Sequence, residues 1–167
     1  MSGHQVRETA QEERWRRAPE LPSYVFDALH KPDRAINPIA VVATVDADGA
    51  PRTAPFGSLR AVTPRLLRLA CNRHHDTYAN MCRDGQVSVS LLAPPNIAVS
   101  IYGRARVVRE HMQTGEHLAV LEIVVDEVKN DMMQRGAIES GAGFSPPEEL
   151  LPYYVGAIAE IEDMETP

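Results

Sequence analysis

At 167 residues with 44% apolar side chains, the chain has the size of one globular domain that buries about two-thirds of its unfolded surface. A net charge of −6 argues against a general nucleic-acid binder, whose affinity comes from a basic face, so any anionic ligand has to be met by local cations. Two cysteines, Cys71 and Cys82, without Cys-x-x-Cys spacing indicate neither a disulfide scaffold nor a thiolate metal site, and no signal-peptide or membrane-spanning run is seen, so the expectation is a cytoplasmic protein without a membrane partner.

Residues 1–19 read as a flexible charged arm around Trp15, ended by Pro19 and Pro22, and residues 20–167 as a single domain. Ser23 is expected to cap a short helix through Leu29, with Tyr24, Val25, Ala28 and Leu29 at spacings that share one face, and Pro32 to stop it. Ile39–Val45 is β-branched and apolar. The turn Asp46-Ala47-Asp48-Gly49-Ala50-Pro51 that follows predicts a hairpin into a second strand, Arg52–Leu59. Pro55 and Gly57 interrupt that strand, which suits an edge, a bulge or a place where a ligand approaches the backbone.

Leu66–Cys71 reads as a third strand and Asp76–Arg83 as a helix whose Thr77, Tyr78, Met81 and Cys82 face inward. Between them lies the polar loop Asn72-Arg73-His74-His75-Asp76-Thr77. Gln86–Leu92 alternates with period two, and Ile97–Val108 is a long strand with Gly103 at a bend. Leu118–Val128 is ambiguous by periodicity, but its Val and Ile content favours a strand. Residues 129–146 form an irregular excursion and Pro147–Met164 a terminal helix. These elements add up to a mainly β fold, a six-stranded antiparallel barrel with flanking helices.

The ordered set of Ala43-Thr44-Val45-Asp46, Gly49-Ala50-Pro51, Thr77-Tyr78-Ala79-Asn80, Val87-Ser88-Val89 and Gly103-Arg104-Ala105 resembles the FMN-binding split-barrel superfamily, the pyridoxamine 5′-phosphate oxidase-like proteins. The resemblance spans roughly residues 36–128. It implies a homodimeric split β-barrel with FMN in a cleft at each subunit border, taking electrons from a donor and acting on a small-molecule substrate. Ala54, Pro55, Phe56, Gly57 and Ser58 match the family's flavin-contacting strand. A flavin phosphate is a dianion that calls for guanidinium, imidazolium, hydroxyl and main-chain N–H donors, and the loop supplies them through Arg73, His75, Thr77 and the amides at a helix start. The expected cofactor site therefore comprises Ala54 to Ser58, Arg60, Cys71, Asn72, Arg73, His75, Asp76 and Thr77. Asn80 is expected to brace the loop rather than touch flavin.

True pyridoxamine 5′-phosphate oxidases carry an Arg near Ala54 and a Lys at Thr77, so Arg60 or Arg73 has to substitute here. They also have a Gln at Ala98 and an Arg- and Trp-containing segment of which nothing follows Val155. These departures argue against a vitamin B6 phosphate as substrate. Cys71 also reads as a small buried hydrophobe and His74 and His75 as surface residues, while no Ser-His-Asp arrangement or metal-ligand spacing stands out. No catalytic side chain is assigned. The expected activity is that of an FMN-dependent oxidoreductase, with a deazaflavin-dependent reductase, a haem-handling protein or a non-catalytic flavin-binding module as the alternatives.

Overall fold

Runs of alternating and β-branched apolar residues build the body of the protein, which the computed structural model describes over residues 15–166. Its strands are β1 (Arg17–Ala18), β2 (Ala40–Val45), β3 (Pro51–Phe56), β4 (Arg60–Thr63), β5 (Leu66–Asn72), β6 (Gln86–Ala93), β7 (Ile97–Arg109) and β8 (Leu118–Asn130). They form one antiparallel sheet in the order β3-β2-β6-β7-β8-β5-β4, with β1 on β8. Every strand expected from sequence is present. The two additions are short: Arg52–Leu59 does not run through as one strand but stops at Phe56, and the chain re-enters the sheet as β4 at its far edge. Only residues 57–59 link those two edges, a span of at most about 14 Å. The sheet is therefore curled into a barrel whose seam lies between β3 and β4.

Residues 15–19, expected in the arm, include β1, where Arg17 pairs with Lys129 and Ala18 with Val128. The rest of the expected arm, residues 1–14, lies outside the described residues. Helix α1 (Ser23–His30) buries Val25 and Leu29, one turn apart, against β4. Helix α2 (Asp76–Arg83) closes one end of the barrel against β2, β3, β5 and β7, burying Thr77, Asn80 and Met81. Cys82 is exposed, contrary to the expected inward face, and Asn80 takes the inner position because its Nδ2 donates to the buried Thr44 hydroxyl at 3.0 Å. Helix α3 (Leu151–Glu162) covers the outer face of β5 and β8 with Ala157, Ile158 and Ile161. Among the described residues no helix is long and apolar enough to cross a membrane.

Inside the barrel lie Leu67, Leu69, Cys71, Val89, Leu91, Ile101, Leu121 and Ile123, all at most 1% exposed. Each such aliphatic side chain contributes on the order of 1.5–3 kcal/mol of transfer free energy. β7 and β8, thirteen residues each, wrap the barrel by slipping register at Tyr102/Gly103. Gly103 is needed there, since a Cβ would stand 2.3 Å from the Val124 carbonyl oxygen.

Candidate functional site

The two segments expected to hold the cofactor meet across the seam. Among the described residues β3 is an edge strand bonded only to β2, which leaves the main-chain groups on its other side unpaired, and Ala54 to Ser58, along it and just past its end, are part-buried or exposed. Beyond Phe56 the ladder is replaced by a side chain: the Ser58 hydroxyl donates to the Ala70 carbonyl and accepts from the Ala70 N–H, both at 3.1 Å. This fixes the end of the 54–58 segment to β5, two residues before the loop at 72–77.

In that loop the Asn72 side chain accepts from the His74 N–H at 2.9 Å and its carbonyl from the His75 N–H at 3.1 Å, which makes a tight Asx turn. His75 then occupies the N-cap of α2, but no side chain caps the helix, and the Asp76 and Thr77 amides lie at its open end. His75 and Asp76 are exposed and Thr77 is buried. The Arg73 N–H donates to the His117 carbonyl at 2.9 Å, and its guanidinium Nη1 lies 3.1 Å from Nδ1 of His111 in the exposed β7–β8 connection. Arg73 Nε is a buried donor with no partner among the described residues. Such a group is costly to leave unbonded.

Arg60 lies elsewhere. It is 2% exposed, and its guanidinium donates to the carbonyls of Gly57, Leu59 and Ala35 and to Glu162 Oε1. Those bonds lock the β3–β4 link and the end of α3 to the barrel, and they leave it no donor aimed at the 72–77 loop. Cys71 points into the core, where burial pushes its thiol up to about 12, so it is inert as a nucleophile. The structure thus brings Ala54 to Ser58 and Asn72 to Thr77 to the same end of the barrel, commits Arg60 to the Gly57 carbonyl rather than to the 72–77 loop, and turns the Cys71 thiol away into the core.

Residues that sequence reasoning passed over surround this frame. Lys31, in the left-handed region after α1, is 3% exposed and donates to the carbonyls of Ile36 and Gly57, both at 3.1 Å. Burial, helped by Arg60, lowers its ammonium to about 7. Together with Arg34, Arg60, Arg68 and Glu162 it lines a cleft of about 510 Å³ between α1, β4 and the end of α3. A second cleft of about 350 Å³ lies where Glu160 accepts from the amides of Gln113 and Thr114. Neither includes residues 54–58 or 72–77, which on the single chain are part-buried or exposed apart from Thr77. No sequence motif links Lys31 to Gly57; only folding does.

An antiparallel barrel split at one seam, with an unpaired edge strand and an uncapped helix start at the same end, is a fold of the flavin-binding split-barrel class. The pyridoxamine 5′-phosphate oxidase family model matches residues 32–135, and the chain belongs to that family. Solved structures with the same fold include a pyridoxamine 5′-phosphate oxidase-like protein of Lactobacillus delbrueckii, 22% identical over 68% of this chain and 98% of that one, with a TM-score of 0.56. HupZ of Group A Streptococcus is 23% identical over 74% of this chain and 99% of its own, with a TM-score of 0.55. An F420 reductase is 14% identical over 66% of this chain and all of its own, with a TM-score of 0.54. A search of curated proteins returns no match.

Proposed function

We infer that this protein is an FMN-binding oxidoreductase that acts on a small molecule as a homodimer, with the flavin held where the open end of one barrel meets its partner. The observation that carries this reading is the coincidence, at one end of the barrel, of a buried unpartnered Arg73 Nε, the uncapped start of α2 and the free edge of β3. The first two suit a phosphate, by charge-assisted bonding and by the positive end of a helix. The third suits the polar edge of a flat ring, which takes bonds from main-chain groups not used in pairing. Because these groups sit on an exposed face of the single chain, a second subunit is what would close water out.

When bound, the flavin accepts and returns hydride at its ring. The chain's own part is to hold and orient it: Asn72 shapes the turn, Ser58 ties the ring strand to β5, and Arg73, His75, Thr77 and the α2 amides face the phosphate. Asp76, exposed in the first turn, adds negative charge beside that grip, so the affinity depends on Arg73. The family's Lys is replaced by the buried Thr77, and Arg60, the other cation available in sequence, is spent on carbonyls. Both points support a ligand grip different from that of a vitamin B6 phosphate oxidase.

The test is a fluorescence titration of FMN into the purified protein, with the oligomeric state measured by light scattering. Quenching with saturable binding by a dimer supports the reading. A monomer that leaves FMN fluorescence unchanged refutes it, and retention of F420 or a Soret band with added haem moves the site to those ligands.

A further inference from the structure

Beside the seam runs a row of rings that the cofactor reading does not use. His117, whose carbonyl holds the Arg73 N–H, has its Nε2 2.9 Å from the Tyr153 hydroxyl, and the two rings are stacked with centroids 6.2 Å apart. Tyr153 meets Tyr154 edge to face at 5.6 Å, and Tyr154 meets Phe144 at 5.5 Å. Phe144 is anchored in turn by Asn37, which accepts from its N–H at 2.8 Å and donates to its carbonyl at 3.0 Å. Asn37 follows Ile36, whose Cγ2 lies 2.5 Å from where a Cβ would stand on Gly57. The row therefore starts beside the loop at Arg73 and ends beside the strand at Gly57, the two halves of the cofactor surface.

These rings are held in place yet not covered. Phe144 is 41% exposed, Tyr153 and Tyr154 are half-buried, and Leu150 and Leu151 next to them are exposed. Three of the eight Phe and Tyr of the chain stand in this one row. A rigid, partly wet aromatic surface has the chemistry to pack a flat apolar molecule through offset or edge contacts. Among the described residues no guanidinium is hydrogen-bonded to Phe144, Tyr153 or Tyr154, whose contacts are with one another and with His117 and Asn37.

The geometry points to Phe144, Tyr153 and Tyr154 as the substrate-side wall of the site, selecting a planar aromatic or quinonoid small molecule over an acyclic anion. This rests on the flavin reading above. It places the start of α3 and the 131–147 excursion at the site as specificity elements, and His117 as the residue that positions Tyr153.

The test uses the FMN-loaded full-length protein, with menadione as the planar probe and fumarate as the acyclic one, followed through the change each makes in the bound-flavin absorption. Menadione is expected to bind and fumarate not. Phe144→Leu and Tyr154→Leu are expected to weaken menadione by roughly fivefold each, while Tyr154→Phe stays near wild type and the FMN affinity of all three is unchanged. Menadione binding that ignores both leucine variants, no menadione binding to the loaded wild type, or fumarate binding as tight as menadione overturns the wall. Wild-type protein that takes up no FMN overturns the flavin reading itself, a result seen before any substitution is made.

Discussion

Arg68 and Glu122 form a buried ion pair, Nε to Oε1 at 2.9 Å, and the same guanidinium donates to the carbonyls of Met164 and Glu165 at 2.9 and 2.8 Å. One side chain thus joins two strands of the barrel to the end of α3. Removing Arg68 leaves a buried carboxylate, with Arg106 as its one remaining cation among the described residues, and frees the carbonyls that follow α3. Arg68→Ala is expected to cost about 3–5 kcal/mol in urea unfolding. Hydrogen exchange should show the amides of residues 157–164 losing protection first, since the loss is centred there.

Arg73 and Arg60 make opposite predictions. Arg73→Ala removes the orphaned donor near α2 and should weaken FMN by about 1.5–3 kcal/mol with little change in melting temperature. Arg60→Ala removes four hydrogen bonds from a buried guanidinium site, leaving Gly57 only Lys31 as donor, and should lower the melting temperature sharply. Fluorescence titration and calorimetry on the two variants separate the roles; an unchanged FMN affinity in Arg73→Ala removes that residue from the site.

Stability should rise with pH above neutrality. Lys31 falls to about 7 in the folded protein from 10.5, so between those values the unfolded chain binds the extra proton and raising the pH favours the folded state. Cys71 acts in the other direction, because its thiol is raised from 9.0 to about 12 and its contribution is lost as the pH climbs past 9. Urea unfolding at pH 7 and 8.5 should show a gain on the order of 1 kcal/mol. In Lys31→Met that slope should vanish, and a slope that survives assigns it to other groups.

Gly103→Ala should be among the most damaging single-methyl additions. Its Cβ would meet the Val124 carbonyl at 2.3 Å, and the obstacle is main chain that cannot rotate away. A loss of about 2–3 kcal/mol is expected from thermal unfolding. Gly49→Ala tests a different cost: it meets open space but carries a φ of +83°, so about 1 kcal/mol is expected there.

The strands were legible because their patterns are local. Val87, Val89 and Leu91 alternate with Ser88 and Ser90, and Asp46 to Pro51 carries its own turn chemistry. The break after Phe56 was half visible: Pro55 and Gly57 announced an interruption, but that Arg60–Thr63 crosses to the opposite edge follows from barrel closure, a long-range property. At the site, the loop 72–77 stood out by composition, whereas the fates of its cations did not. Arg60, Arg68 and Arg73 look alike in sequence; packing commits two of them to carbonyls and leaves an unused donor on the third. Lys31, His117 and Tyr153 lie 40 to 80 residues from the loop in the chain, so nothing in the local pattern could mark them.

The Ser58 hydroxyl standing in for a rung of the ladder also bears on how quickly a ligand is captured. Because the strand and loop on either side of the seam are tied together beforehand, little chain freedom is surrendered when a molecule settles across them. If the site closes between two subunits as proposed, uptake should then be governed by dilution of the protein more than by slow internal rearrangement.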